Sequence, residues 1–205
     1  MNNTTDKIPL SVVNRLPAYL HFVKYLYDGA TVSSTVIAKA LGLGEVQVRK
    51  DLQMVSGAGR PKIGYVTAEL VRHLEEFLQV DNVVNCVLVG VGHLGKALLY
   101  NDGFAEYGLK IVGAFDAKQI VLRDGTETLP VCSLAEFCKA NDVSVGIVTV
   151  PEQAAQEVAD KLVDSGVSAI WNFAPTTLKV PESVTVKNEN LASALAVLAV
   201  QAVKR

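Results

Sequence analysis

Three glycines in the stretch "VLVGVGHLGKALLY" have the spacing of a turn that binds dinucleotides. They are Gly90, Gly92 and Gly95, and they follow an apolar strand and open a helix, as that motif requires. Gly90 permits a tight turn, Gly92 lets the backbone approach a pyrophosphate, and Gly95 lets the helix pack closely on the strand. The N-terminus of the helix adds amide donors and a positive dipole. The spacing therefore predicts a dinucleotide site.

An acidic residue follows at the distance that such a site requires. A second apolar strand, "LKIVGAFD", ends at Asp116, 21 residues after Gly95. A carboxylate there accepts hydrogen bonds from the adenosine ribose and repels a 2′-phosphate, which favours NAD(H) over NADP(H). Two alternatives stay open at this point: Asp116 could merely begin a turn, and the nearby Lys118 could tolerate a 2′-phosphate.

Acid–base groups for a dehydrogenase are not evident. Such an enzyme needs a His, Lys or Tyr near the nicotinamide, but His21 and His73 precede the predicted cofactor domain. His93 lies inside the glycine turn, near the phosphates and away from the reacting carbon. The segments "VTVP" and "NFAP" end two strands and predict an apolar nicotinamide end. The pattern predicts cofactor binding without catalysis, so we expect no enzyme.

Composition and cysteine usage narrow the class further. The chain has 205 residues, is 50% hydrophobic and carries a net charge of −2, so any contact with nucleic acid requires a local basic patch. Cys86, Cys132 and Cys138 form no C-x-x-C pair, which predicts neither a metal site nor a redox dithiol. The start "MNNTTDKIPLSV" does not resemble a signal peptide, and no apolar run is long enough to cross a membrane. We expect a cytoplasmic protein with no membrane association.

The elements before residue 81 are predicted to be helical. Ser11 can cap a first helix, which ends at a turn near Asp28-Gly29, and a second helix begins at Ser33-Ser34. The "GLG" segment makes a tight turn, and a third helix runs from about Glu45 to Met54. This is the pattern of a helix-turn-helix. The glycine-rich "SGAGRPKIGYV" could form a hairpin or wing before the helix "TAELVRHLEEFLQV".

The third helix can present a polar, basic face to a DNA major groove. Val46, Val48 or Leu52 can face the core of the domain. Arg and Lys side chains suit guanine edges or phosphates, and Gln suits adenine, while wing residues suit the phosphate backbone. An ordinary solvated helix face is the alternative. The predicted contacts are Gln47, Arg49 and Lys50 on the helix, and Arg60 and Lys62 on the wing.

The sequence pattern changes at Asp81, where short Val/Ile-rich runs begin to alternate with stretches that are predicted to be helical. Buried parallel strands have this pattern, so we predict βαβ units in a Rossmann-type, doubly wound parallel sheet. The tail "ENLASALAVLAVQAVKR" predicts a C-terminal helix. The predicted fold class is α/β, with a winged-helix domain over residues 1–80, a Rossmann domain over 81–188 and the last helix over 189–205.

The chain resembles the Rex family of redox-sensing transcriptional repressors over nearly its whole length. The motifs R-K-D-L, G-x-G-x-L-G-x-A-L and V-P-x-x-A-A-Q occur in the family's order. The matching segments are "NRLPAYL", "SSTVIAKALGLGEVQVRKDL", "GYV", "VGHLGKALLY", "FD", "VTVPEQAAQEVADKLVDSGVSAIWNFAP" and "VPESVTVKN".

This resemblance implies a homodimer that binds NADH and NAD+ and exchanges its C-terminal helices. It implies that NADH releases double-stranded DNA, whereas NAD+ or the empty state permits binding to a palindromic operator upstream of fermentation and respiration genes. The implied pyrophosphate and ribose contacts are Gly90, Val91, Gly92, His93, Leu94, Gly95 and Asp116. The implied nicotinamide contacts are Tyr100, Val150, Pro151, Phe173 and Pro175. The implied DNA contacts are Ser34, Gln47, Arg49, Lys50, Arg60 and Lys62.

Two departures from the family pattern affect its implied coupling and wing contacts. Arg15 matches an arginine that meets the partner's Rossmann domain, where the family commonly has Val-Asp-Leu before the last helix. Here the segment is Glu189 to Leu191, so Asn190 offers a neutral hydrogen bond in place of a charge. The wing has Ser56 to Gly59 where the family usually has Phe-Gly.

Two other functions fit parts of the pattern. A small NAD(H)-dependent oxidoreductase could use the N-terminal helices as a dimerisation module. A DNA-binding protein could also retain the nucleotide only as a structural group. DNA affinity measured across NADH/NAD+ ratios separates both from a redox-sensing repressor.

Overall fold

The computed structural model describes residues 8–26 and 30–203. Two compact units make up the chain, one ending at Asn82 and the other beginning at Val83. The turn predicted at 28–29 lies outside the described residues. The elements of the first unit are α1 (Leu10–Val13), α2 (Leu16–Lys24), β1 (Thr31–Val32), α3 (Ser34–Leu41), α4 (Glu45–Ser56), β2 (Tyr65–Val66) and α5 (Thr67–Leu78).

The first helix differs from the prediction, because Ser11 lies within α1 and does not cap it. The helical stretch breaks after Val13 and resumes at Leu16, with Pro17 in the first turn of α2. Proline has no N–H to donate to the carbonyl four residues earlier, but it is accommodated in a first turn. The break therefore follows from the position of Pro17.

Helices α2 to α5 enclose the core of the first unit. Each contributes fully buried aliphatic or aromatic side chains, and β1 pairs with β2 in antiparallel register beside them. The register joins Thr31 to Val66 and Val32 to Tyr65. The largest buried side chains are Leu16, Tyr19, Leu20, Ile37, Leu52, Leu70 and Leu74.

The second unit is a doubly wound sheet whose paired strands are all parallel, as predicted. The strand order is β5-β4-β3-β6-β7-β8, so the chain reverses its direction of winding between β3 and β6. Ligands bind at such a switch point, outside the carboxyl ends of the strands. The elements are β3 (Val84–Val89), α6 (His93–Leu99), β4 (Leu109–Asp116), β5 (Leu129–Pro130), α7 (Leu134–Ala140), β6 (Val143–Val148), α8 (Glu152–Asp164), β7 (Ala169–Asn172), β8 (Thr185–Asn188) and α9 (Leu191–Val203).

The central strand β3 is buried on both faces, which explains its unbroken run of apolar residues. Val87 and Val89 pack into a cluster with residues of α7 and α8. Cys86 and Leu88 point to the opposite face, where they pack with Ile147 and with side chains of α6. A strand covered on both faces needs no alternation of polar and apolar residues.

The crossover between β7 and β8 contains no described helix, so strand and helix do not alternate at this point of the sheet. Pro175 and Pro181 lie in this connection and cannot donate helical hydrogen bonds. The buried side chain of Leu178 packs against the sheet in the place of a helix. The structure also contains β5 and α7 between β4 and β6, where the sequence pattern predicts no element.

Helix α9 closes the described chain and carries exposed apolar side chains along its length. Asn190 Oδ1 accepts a hydrogen bond of 2.8 Å from the backbone N–H of Ser193, as a helix-capping side chain does. Leu195 is 67% exposed, and Leu191 and Leu198 are similarly uncovered. Every described side chain of this helix is exposed.

Candidate functional site

The three glycines of the predicted turn have three different packing environments. Gly90 has a φ of +98°, which favours glycine, and accepts a hydrogen bond of 2.6 Å from Thr149 Oγ1 at its carbonyl oxygen. A Cβ on Gly95 would lie 2.0 Å from that oxygen, so only glycine lets α6 pack against the turn. A Cβ on Gly92 would meet no described heavy atom within 4 Å. The turn therefore leaves its open side at Gly92, where the sequence predicts the pyrophosphate.

Asp116 lies beside this turn, as the spacing predicts, and it also holds the turn in place. Its Oδ2 accepts a hydrogen bond of 2.6 Å from the backbone N–H of Val91, and its Oδ1 accepts one of 3.0 Å from the backbone N–H of Lys118. Each carboxylate oxygen can accept more than one hydrogen bond, so a ribose hydroxyl can still donate to Asp116. The residue does end β4 and begin a turn, but its carboxylate also faces the glycines.

A cavity of about 510 Å³ brings the glycine turn, Asp116 and the "VTVP" segment together. Val150 and Pro151 share this cavity with Asp116, although both the strand-end pattern and the resemblance predict that they contact the nicotinamide. Parallel pairing of β6 with β3 brings the end of β6 beside the glycine turn, which explains this placement. The apolar wall beside the ribose carboxylate suits the flat face of a base. The residues of that wall are Val131, Val150, Pro151, Ala154 and Val158.

The "NFAP" segment follows the next strand of the sheet. The backbone N–H of Phe173 donates to Val148 O at 2.9 Å, and the Phe173 ring lies 4.5 Å from that of Trp171, centroid to centroid. Asn172 is fully buried, and its side chain bonds to the backbone of Ala174 and to Thr176 O. Phe173 and exposed Pro175 are thus held at the carboxyl end of β7. They do not line the cavity that contains Asp116.

Tyr100 lies at the far end of α6 from the glycine turn. Its hydroxyl accepts a hydrogen bond of 2.9 Å from the backbone N–H of Arg123, whose guanidinium lies 4.3 Å from the centre of the ring. A second cavity of about 570 Å³ is lined by Tyr100, His93, Lys96 and Arg123. Within one chain, the structure therefore does not bring Tyr100 or His93 into the cavity of Asp116. Leu94 is partly buried and Val91 is buried beneath the turn.

The cysteines show no arrangement for metal or redox chemistry within the part of the chain described. Cys86 and Cys138 are buried, Cys132 is exposed, and all three are unpaired. Burial raises the pKa of the Cys86 thiol to about 11, which keeps it protonated and unreactive. Among the described residues no cluster of His, Cys, Asp and Glu could hold a metal ion.

The helix-turn-helix forms as predicted in the first unit. Ser33 caps α3 by accepting a hydrogen bond from the N–H of Val36, and Ser34 is the first helical residue. Gly42 ends α3 with a φ of +65°. In α4, Val48 and Leu52 are fully buried, whereas Val46 is 54% exposed. The polar residues Gln47, Arg49, Lys50 and Gln53 of α4 are exposed.

The wing is a tight hairpin between α4 and α5. Arg60 and Gly64 form a backbone bridge, and Lys62 lies exposed at the tip with a φ of +64°. The Arg60 guanidinium lies 3.5 Å from a carboxylate oxygen of Glu69 on α5, and both side chains are mostly exposed. A Cβ on Gly64 would lie 2.4 Å from Val32 O, so glycine is needed where the wing passes β1.

Asp51 is a structural residue of this domain that the sequence reading missed. The residue is only 3% exposed, and its carboxylate accepts two hydrogen bonds from Arg15, at 2.7 and 2.9 Å, and one of 2.7 Å from the hydroxyl of Tyr19. Burial and this hydrogen bond raise the pKa of Tyr19 to about 12. Asp51 lies three residues after buried Val48, so helical periodicity could have identified it as an acid on the buried face that needs a partner.

Arg15 and Asn190 were assigned to interdomain coupling from the resemblance. In the structure, Arg15 pairs with Asp51 and its side chain is 23% exposed, while Asn190 caps α9.

Thr149 and Asn172 are two further residues that the sequence pattern did not identify. Each follows or ends a strand at the switch-point edge of the sheet and bonds to backbone there. A polar residue at that position of an apolar strand is the signal that could have found them.

Family models match both units. Residues 81–176 match the "CoA binding domain" model, and residues 7–53 match the "Putative DNA-binding protein N-terminus" model. The first of these is described by a different nucleotide cofactor from the one predicted here, but CoA also carries an adenosine with a pyrophosphate. No helix in the described ranges is long and apolar enough to cross a membrane.

Curated relatives and solved structures cover almost the whole chain. A redox-sensing transcriptional repressor Rex of Porphyromonas gingivalis is 41% identical over 197 residues, covering 94% of this chain and 90% of the relative. The repressor Rex of Carboxydothermus hydrogenoformans is 42% identical over 200 residues, covering 94% and 95%.

Two crystal structures of the Rex-family repressor RSP have the same fold. RSP in complex with β-NAD+ and operator DNA matches with a TM-score of 0.86 and 32% identity, over 95% of this chain and 92% of that chain. RSP in complex with β-NADH matches with a TM-score of 0.82 and 31% identity, over 95% and 94%. The first unit carries a helix-turn-helix and the second a glycine turn of the dinucleotide-binding type. Together with these relatives, they show that the chain belongs to the Rex family of redox-sensing transcriptional repressors.

Proposed function

We propose that the chain is a DNA-binding transcriptional repressor that senses the NADH/NAD+ ratio and releases its operator when NADH binds. The observation that carries this is the pairing of an open glycine turn beside Asp116 with an exposed basic recognition helix in one short chain. A relative's structure holds NAD+ together with operator DNA, and another structure of it holds NADH. The sequence therefore supplies a reader of DNA where an oxidoreductase would have a substrate domain.

The residues of the second unit fit an NAD(H) molecule. The space beside Gly92 is open, and a side chain at this position would begin to fill it. Because glycine has none, a pyrophosphate can reach the backbone of the turn there. Asp116 can accept from the ribose, and the apolar wall that includes Val150 and Pro151 can cover the adenine. Phe173 and Pro175, at the end of the next strand, remain for the nicotinamide half. This order assigns Val150 and Pro151 to the adenosine end.

Discrimination between the two redox states follows from charge. The cofactor supplies a nicotinamide ring that is neutral when reduced and cationic when oxidised. Burying an unpaired charge in apolar surroundings is costly, so apolar contacts such as Phe173 favour the neutral ring. A ligand shifts a conformational equilibrium only through its different affinity for the two states. We propose that NADH binds more tightly to a conformation that cannot bind DNA, so that NADH binding releases the DNA.

The first unit supplies the contacts to DNA. Arg49, Lys50 and Gln47 are exposed on α4, and Arg60 and Lys62 are exposed on the wing. In a dimer, two such helices must enter successive major grooves one helical turn apart. We propose that NADH closes the dimer and moves the two helices out of this register.

The dimer itself is proposed to form through α9. Leu191, Leu195 and Leu198 are exposed on a helix whose described side chains find no cover in one chain. Water-exposed apolar area of this kind is removed by packing on a second copy. The units proposed are a DNA-binding domain over residues 1–80, a cofactor domain over 81–188 and an exchanged helix over 189–205, in a protein of the cytoplasm.

Operator affinity measured at fixed total nucleotide tests the proposal. Duplexes selected from a random pool by the chain without cofactor serve as probes, in fluorescence anisotropy across a series of NADH/NAD+ ratios. We expect NADH to weaken binding and NAD+ to leave it intact. Gly92→Ala is the matched control, because it should bind the same duplexes but respond only to NADH concentrations at least about tenfold higher. Equal effects of NADH and NAD+ on the wild-type chain would rule out redox sensing.

A small NAD(H)-dependent oxidoreductase is the second candidate. The sequence places no evident acid–base group near the "NFAP" segment, and the curated relatives are named as repressors. We therefore propose that the chain has no catalytic turnover. Steady consumption of NADH with a panel of carbonyl compounds, in the absence of DNA binding, would favour the enzyme instead.

A further inference from the structure

Arg15 contacts two residues of α4 at once. Its Nε and Nη2 donate to the buried carboxylate of Asp51 at 2.7 and 2.9 Å. Its remaining terminal nitrogen, Nη1, lies 3.1 Å from the side-chain amide of Gln47, one helical turn before Asp51. The guanidinium therefore bridges a buried anchor and an exposed residue of the predicted DNA-reading face.

The chemistry of arginine fixes which end of the Gln47 amide faces it. A guanidinium carries donors and no acceptor, so the amide oxygen, and not the NH₂ group, must be the atom turned towards it. In that orientation Gln47 Oε1 accepts from Arg15 Nη1 at 3.1 Å and lies 3.3 Å from Arg15 Nε, whose single hydrogen is directed at Asp51. The group left for a partner outside the protein is Nε2, which can only donate.

We propose that Arg15 is a positioning residue that turns Gln47 into a hydrogen-bond donor, so that Gln47 selects guanine and not adenine. This inference rests on the proposed DNA-binding function. Adenine recognition by glutamine needs the amide oxygen to accept from N6 while the NH₂ group donates to N7. Guanine presents N7 and O6, both acceptors, and needs donors alone. Residue type alone had pointed to adenine for Gln47.

The bridge is rigid enough to hold the amide. Asp51 is 3% exposed and is held also by the buried hydroxyl of Tyr19 at 2.7 Å, so the carboxylate keeps a fixed position. The planar guanidinium fork then points Nη1 in a fixed direction. A lysine at position 15 would keep a positive charge beside Asp51, but it would place all its donors on one atom.

Selection of duplexes from a random pool tests the inference. Gln47→Ala first identifies the base pair that Gln47 contacts, as the position where preference disappears. We expect the wild-type chain to select guanine there, by about tenfold over adenine. In Arg15→Lys the released amide can turn, so the guanine-to-adenine ratio should fall at least about fivefold at this base pair alone.

Gln47→Glu keeps the test decisive if Arg15→Lys fails to fold. Its carboxylate accepts from Arg15 and has no donor to offer, so guanine preference should vanish while the pair between Arg15 and Asp51 stays intact. Adenine at this base pair in the wild-type selection, or unchanged guanine preference in Gln47→Glu, would overturn this inference and leave the proposed DNA-binding function standing. A wild-type chain that selects no duplex would overturn the proposed DNA-binding function and this inference with it.

Discussion

Asp51 shows how a single carboxylate can organise a DNA-binding helix. It is the acidic residue of the R-K-D-L motif, and its neighbours Arg49 and Lys50 face solvent while it is buried. Its three hydrogen bonds come from Arg15 and Tyr19 on the segment that leads into and through α2. Buried carboxylates are stable only when paired in this way. The motif thus combines two exposed residues, which are proposed to contact DNA, with one buried residue that stabilises the fold.

Removing the Asp51 carboxylate should destabilise the first unit. Asp51→Ala leaves the Tyr19 hydroxyl buried without its acceptor and the Arg15 guanidinium without its counter-charge. We expect a loss of about 2 to 3 kcal/mol in the free energy of unfolding, measured by urea titration with circular dichroism. Gln53→Ala, at an exposed position of the same helix, should change it by less than about 0.5 kcal/mol. Equal losses in both variants would contradict this account.

The raised pKa of Tyr19 predicts a dependence of stability on alkaline pH. The folded-state pKa of about 12 lies above the ordinary value of 10.0. The folded state therefore holds this proton more tightly, and the stabilisation is present below pH 10 and is lost as the pH rises towards 12. The free energy of unfolding should fall over that window. In Tyr19→Phe the fall should be smaller; an unchanged slope would show that Tyr19 does not contribute.

We predict that Glu69 competes with DNA for Arg60, one of the proposed DNA contacts. Their ion pair of 3.5 Å is exposed and contributes little to stability, so Glu69→Gln should leave the melting temperature unchanged. It should strengthen binding to a selected duplex by about twofold to threefold at low salt, since Arg60 becomes free for a phosphate. Glu76→Gln is the control, because Glu76 pairs with Arg72 on the same helix. A similar gain in the control would indicate a general effect of net charge.

At the scale of elements, the glycine turn is held by three segments that lie at the carboxyl ends of neighbouring strands. The end of β3 supplies the turn, Asp116 at the end of β4 binds the N–H of Val91, and Thr149 after β6 binds Gly90 O. These segments are adjacent because β3 lies between β4 and β6. Hydrogen bonds within the protein therefore hold the turn in place, and its Gly92 side is open.

Alanine at two of these glycines should separate binding from folding. Gly92 has an ordinary φ of −73° and open space around it, so Gly92→Ala should preserve stability. It should weaken NADH binding at least about tenfold, because the methyl group blocks the pyrophosphate. Gly95→Ala places a Cβ 2.0 Å from Gly90 O and should cost about 3 kcal/mol of stability. Thermal unfolding and NADH fluorescence titration measure the two effects; an unfolded Gly92→Ala would refute the distinction.

At the scale of the whole molecule, α9 is the element that a single chain leaves uncovered. Its exposed residues include Leu195, Leu198 and Val203, on a helix that contains no charged residue from Leu191 to Val203. Such a surface is stable in water only when it packs on another apolar surface. The proposed dimer through α9 would also supply the two recognition helices that a palindromic operator needs.

Charges placed on α9 should dissociate the dimer. The double variant Leu195→Lys with Leu198→Lys buries two unpaired ammonium groups in the proposed interface. We expect a monomer by size-exclusion chromatography with light scattering, together with loss of tight operator binding and retained NADH binding. Gln201→Lys adds one charge at a polar position of the same helix and should remain a dimer. A wild-type monomer, or a dimeric double variant, would remove α9 from the interface.

The sequence by itself determined the elements that form the glycine turn and the helix-turn-helix, together with the chemistry that depends on local spacing. Gly90, Gly92, Gly95 and Asp116 were identified because a strand, a turn and a helix dictate where such residues must stand. The helix-turn-helix was equally visible, since Ser33 and the "GLG" turn mark its helix boundaries locally. Both sites follow from short-range patterns.

Tertiary structure decided which distant residues share a site. Val150 and Pro151 joined Asp116 because β6 pairs with β3, and Tyr100 stayed outside that cavity because it ends the helix that leads away from the turn. Asp51 and Arg15, 36 residues apart, became partners through the packing of two helices. Pairing across such separations depends on strand order and helix packing, which spacing along one chain does not encode locally.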